Sequence, residues 1–179
     1  MPDPTNNNTN VIIEQGVNRL AELLHTMLIE HQQLNATLDR KRQAMREARQ
    51  QELAQLALLE SEKVQAISEM EKQRLALVAE LTLAVQPSAP QPLRMGELAE
   101  ALDEPFRGKL LVLRTQLLAA IQSTQQEAAT IRRATESLAS HMNGLVRTIG
   151  ALATGVSTYG SRGALPEAAA AVSTISVTA

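Results

Sequence analysis

Between Val17 and Val85 the chain contains neither glycine nor proline, and its apolar residues return at alternating steps of three and four. That spacing marks one face of an α-helix, so the stretch is confined to long helices. Leu20, Leu24, Met27, His31, Leu34, Leu38, Lys41, Met45 and Ala48 lie on one heptad-like stripe, interrupted by His31 and Lys41. Leu53, Leu56, Ile67, Met70, Leu77, Leu81 and Val85 lie on or near a second, broken by Glu60, Lys63 and Arg74. One unbroken helix over this span would be about 100 Å long at ~1.5 Å per residue. The competing reading is a hairpin that breaks near Ala48 to Glu52, where the first stripe ends in a charged, amide-rich run. No turn-forming residue lies there, yet the change of stripe favours the break.

Composition supports the same class. Of 179 residues one is tyrosine, one phenylalanine and none tryptophan, while 44% are hydrophobic. Strands and sheet cores draw on aromatics, so a core made almost wholly of Leu, Ala, Ile, Val and Met is helical. The absence of cysteine excludes disulfides, thiolate metal sites and cysteine nucleophiles. A net charge of -2 gives no global attraction to nucleic acid or to an anionic membrane.

Further boundaries follow from punctuation. Residues 1–10 hold two prolines and four asparagines without periodicity and are expected to be disordered. They lack the basic start and apolar core of a secretory signal, and no apolar run approaches the roughly 18 residues of a membrane span, so a soluble, cytoplasmic protein is expected. QPSAPQP, from Gln86 to Pro92, ends any helix and forms a short linker within 86–95. Leu93 to Leu102 reads as a short amphipathic helix. Asp103, Glu104 and Pro105 then give a start signal for another. In that last helix Leu110, Leu113, Leu117, Ile121, Thr124, Ala128, Ile131, Thr135, Leu138, Met142, Leu145, Ile149, Leu152 and Val156 hold the three/four spacing with one stutter. The expected fold is all-α: an elongated antiparallel bundle of three to four long helices with left-handed, coiled-coil-like packing. A single helical domain over 11–163 is expected, followed by a mobile Ala/Ser/Thr-rich tail over 164–179.

The residues of catalysis are sparse. His25, His31 and His141 make no i, i+4 pair and no HExxH, so they read as seam or flank residues rather than ligands. Glu60, Glu62, Glu69, Glu71 and Glu80 lack the Glu-x-x-His partners of a carboxylate-bridged metal site and read as a solvated face. The basic cluster Arg40 to Arg49 has no interleaved aromatics, a weak signal for nucleic acid. The glycines from Gly144 to Gly163 lack the ending of a phosphate loop. A non-enzymatic interaction protein is expected, with no cofactor and no metal.

The end of the last helix is more specific. SLASHMNGLVRTIGALATGVSTYGSRG, from Ser137, couples a leucine-rich helix to an exit through Thr158, Tyr159, Gly160 and Gly163. It resembles the C-terminal part of the FlgN family of flagellar export chaperones. Leu53, Leu56, Leu59 and Lys63 through Arg74 and Leu75 resemble that family's leucine/lysine/arginine helix, and MGELAEALDEPFRGKLLVLRTQL from Met95 resembles its middle segment. The resemblance spans about Val17 to Gly163. It implies a cytoplasmic chaperone that binds the C-terminal helical segments of the hook-associated proteins FlgK and FlgL, prevents their premature assembly and delivers them to the flagellar type III export apparatus. In that reading Leu138, Met142, Leu145, Ile149 and Leu152 line the client-binding face; the alternative is that they are internal core. Tyr159, with Gly160 and Gly163, is either an anchor for the export gate or a staple that packs back on the bundle. The reading from residues alone is a structural or adaptor coiled coil, and a weak homodimer is compatible with both.

Overall fold

A computed structural model describes residues 4–153, with side chains described from 10 to 151. The described residues form four helices and no strand: α1 (Pro4–Arg46), α2 (Gln50–Val85), α3 (Met95–Glu100) and α4 (Phe106–Ala153). Three are long and one is a single short segment, an all-α bundle as the spacing predicts.

The Gly- and Pro-free span is a hairpin. α1 stops at Arg46, and the turn closes with Arg49 N–H donating to the Ala44 carbonyl (2.9 Å) and Ala48 N–H to that of Met45 (3.3 Å). This pair of bonds is a Schellman ending, whose turning residue is left-handed and usually glycine. Here it is Ala48, at φ 53. The turn was hard to read from sequence because its special conformation falls on a residue that prefers helix.

The polar residues that interrupt the two stripes meet across this hairpin. Lys41 of α1 pairs with Glu60 of α2, and Lys63 of α2 with Glu30 of α1 at 3.2 Å, so the interruptions complement one another in antiparallel register. Arg74 instead pairs within its own helix, with Glu71. Farther along, a Cβ on Gly16 would stand 2.7 Å from Leu81, so glycine permits the close approach of α1 and α2 there.

Gln86 to Pro92 leaves the helix as its prolines dictate, and a hydroxyl secures the return. Thr82, buried in α2, donates to the Val78 carbonyl (2.7 Å) and accepts from the Leu93 N–H (3.0 Å). α3 is capped by Glu97, whose carboxylate accepts from the Arg94 N–H at 2.8 Å. Its Leu98 and Ala99, with Leu102 after it, insert into the main core. Phe106 packs half-buried against that core at the start of α4.

The backbone groups into two compact units, residues 1–133 and 134–179. In the first, Val17, Leu20, Ala21, Leu24, Met27 and Leu28 of α1 pack with Val78 and Leu81 of α2, the α3 residues, and Leu110 and Leu117 of α4. A smaller cluster joins Leu34 and Leu38 to Ile131, with Ile67 of α2 against it. In the second unit the described residues are the final turns of α4, and every described side chain there is exposed. The division between the two units falls just after Ile131, the last buried residue of α4 among those described. One boundary differs. Residues 4–10, expected to be irregular, continue α1, because proline suits a first helical turn and extending a nucleated helix costs little.

Candidate functional site: the exposed apolar face of α4

α4 is one helix of 48 residues whose two parts meet different environments. Its sequence favours helix throughout: Leu, Ala, Gln and Arg dominate, and only Gly108, Gly144 and Gly150 weaken it. In the first unit its apolar face is covered. Leu110 is 0% exposed, Leu117 6% and Ile131 5%.

In the second unit the same kinds of residue lie open. Leu138 is 57% exposed, Met142 52%, Leu145 45% and Ile149 64%. Burial of one such side chain is worth about 1.5–3 kcal/mol relative to exposure. Four of them in successive turns on one face therefore make a surface that gains substantially from being covered. In the described structure these four residues lie at the surface. Leu152 belongs to the same helix, but its side chain lies outside the described set. Tyr159, Gly160 and Gly163 also lie outside the described residues.

Sequence reasoning missed one member. Val146, 65% exposed, stands beside Leu145 and widens the face. The signal was the adjacent apolar pair, which a strict three/four count passes over. Glu136 and Arg147 lie on the opposite side of the helix, so the charges of this segment do not interrupt the apolar face. The Thr148 hydroxyl, on its margin, is satisfied by the Gly144 carbonyl at 3.0 Å. An apolar face without Asp, Glu, Lys or Arg is suited to another helix.

A second concavity lies within the first unit, between α1 and α4. It encloses about 480 Å³ and is lined by His31, Asn35, Gln116 and Ser123 among others. Asn35 donates to the Ser123 hydroxyl at 3.0 Å, and the Thr124 hydroxyl reaches the His31 carbonyl at 3.4 Å. His31 is buried, and burial holds its imidazole pKa below the usual value. Its Nδ1 and the Asn35 Oδ1 have no protein partner. This is a polar seam of the bundle. His25 and His141 are exposed, and among the described residues no cluster of three metal-ligating side chains occurs. No described helix is long and apolar enough to cross a membrane.

The model of the family described as FlgN protein matches residues 16–167, most of the chain. No curated protein and no solved structure matches it.

Proposed function

We propose that this chain, which belongs to the FlgN family of flagellar export chaperones, binds the C-terminal helical segments of the hook-associated proteins FlgK and FlgL in the cytoplasm. It keeps them from assembling prematurely and delivers them to the flagellar type III export apparatus, without catalysis. The observation that carries the reading is the exposed stripe Leu138, Met142, Leu145 and Ile149. A free client helix has an apolar face of its own, and laying the two faces together removes both from water. We assign Leu152 to the same face by its spacing. Tyr159, with Gly160 and Gly163, is assigned to the export-gate contact.

The test is capture by the purified full chain of the C-terminal segments of FlgK and FlgL. Leu138→Glu combined with Leu145→Glu should abolish capture while leaving helicity by circular dichroism unchanged, and removal of residues 137–163 should abolish capture as well. Undiminished capture by either variant would place the client elsewhere. For Tyr159, alanine should weaken association with the gate and spare client capture. A loss of thermal stability in that variant would instead mark the residue as a staple.

A further inference from the structure

Leu110, Leu117, Thr124, Ile131, Leu138, Leu145 and Leu152 are spaced seven apart without a break. The first four are buried, and Leu138 and Leu145, the next two, are exposed. The second seam position is filled by Ala128, Thr135, Met142 and Ile149, again seven apart. A sustained heptad is the pattern of helices packed at a shallow angle with side chains interdigitating. Position by position, the open part of α4 repeats the seam of the covered part. In the covered part that seam meets two antiparallel neighbours: Ile131 packs with Leu34 and Leu38 of α1, and Ile67 of α2 lies against the same cluster.

The width of the open face agrees with two neighbours. At about 100° per residue, the sector from Ser137 through Leu145, Leu138 and Met142 to Ala139 spans about 200° and carries no Asp, Glu, Lys or Arg. The apolar residues within it, from Ala134 through Leu145, Leu138, Met142 and Val146 to Ala139, span about 140°, whereas the seam of a helix with one partner is narrower than the stripe of about 100° that faces a core. Residues that flank a coiled-coil seam commonly carry the charges that select a single partner. Here the flanks are Ala134, Ala139, His141, Val146 and Thr148. None of them is Asp, Glu, Lys or Arg, and Ala134, Ala139, Val146 and Thr148 are short enough to leave room on both sides of the seam for a helix backbone.

We propose that the open face of α4 accommodates two antiparallel helices side by side, and that the client occupies it as a helical pair which takes the places α1 and α2 hold on the covered part. This rests on the chaperone reading above and specifies the form in which the client binds. Selection is by shape and apolar register rather than by charge.

The absence of native cysteine permits a direct test on the full chain. Ala139→Cys and Thr148→Cys place single thiols on opposite margins of the face, since nine residues are about two and a half turns. Arg147→Cys places one on the charged back. The probe is the purified full-length hook-associated client, and the readout is the alkylation rate of each thiol with and without saturating client. A helical pair slows both margins about tenfold or more and leaves the back unchanged. Slowing at one margin alone means a single helix and overturns the pair while leaving the chaperone reading intact. Protection at all three positions, or at none of them despite capture, likewise overturns the pair. Failure to capture client removes the chaperone reading and the pair with it.

Discussion

Ala48 shows how a single residue can hide a structural decision from sequence. An L-residue in the left-handed region is disfavoured by about 1–2 kcal/mol, and glycine avoids that cost while losing more entropy on folding. Ala48→Gly should therefore stabilise the first unit by about 0.5–1 kcal/mol, seen as a higher denaturant midpoint at unchanged slope. An unchanged or lower midpoint would contradict this account of the turn. His31 was legible as an interruption of the first stripe, but its buried place between α1 and α4 was not, because its neighbours there come from residues about ninety positions away. Burial lowers its folded pKa below the unfolded value of about 6.5. Protons consequently bind the unfolded chain more readily: stability is fully present above that pH and declines as pH falls towards the folded pKa. His31→Gln should flatten the pH dependence of the unfolding midpoint across that window, and an unaltered slope would assign it to other groups.

At the scale of elements, periodicity located the long helices, and the prolines located the end of α2. The reason is physical: both signals act within a few residues and survive any tertiary arrangement. What joins the elements was not legible. Thr82, which ties the end of α2 to Leu93, is one threonine among many in the sequence and becomes distinctive only once the chain has returned past it. Thr82→Val should cost about 1 kcal/mol, because the Leu93 N–H loses its acceptor. The two parts of α4 should respond in opposite ways to truncation. Leu110→Ala, in the covered part of α4, should lose about 2–5 kcal/mol of stability. Leu138→Ala should stay within about 0.5 kcal/mol of the parent while weakening client capture. The spacing of these leucines is alike along the chain. Sequence therefore identified the stripe and left its surroundings open, which only the placement of α1 to α3 resolves.

For the whole molecule, every buried residue among those described lies at or before Ile131. A chain ending at Arg133 should accordingly unfold at nearly the temperature of the full protein while failing to capture client. A large drop in melting temperature would show that residues beyond 133 contribute to the fold. Capture by the full chain should also persist in molar salt, because the proposed face carries no formal charge to be screened. The continuity of α4 across the two units has a further consequence. Starting a helix from coil carries a penalty of about 10⁻³, and a free segment of some twenty residues is only marginally helical. The turns beyond Ile131 avoid that penalty because their helix is already started inside the core. The ordering cost of association then falls on the client alone. Helical occupancy is greatest nearest the core, so the face proposed for the client is most fully formed at Leu138 and least so towards Ile149.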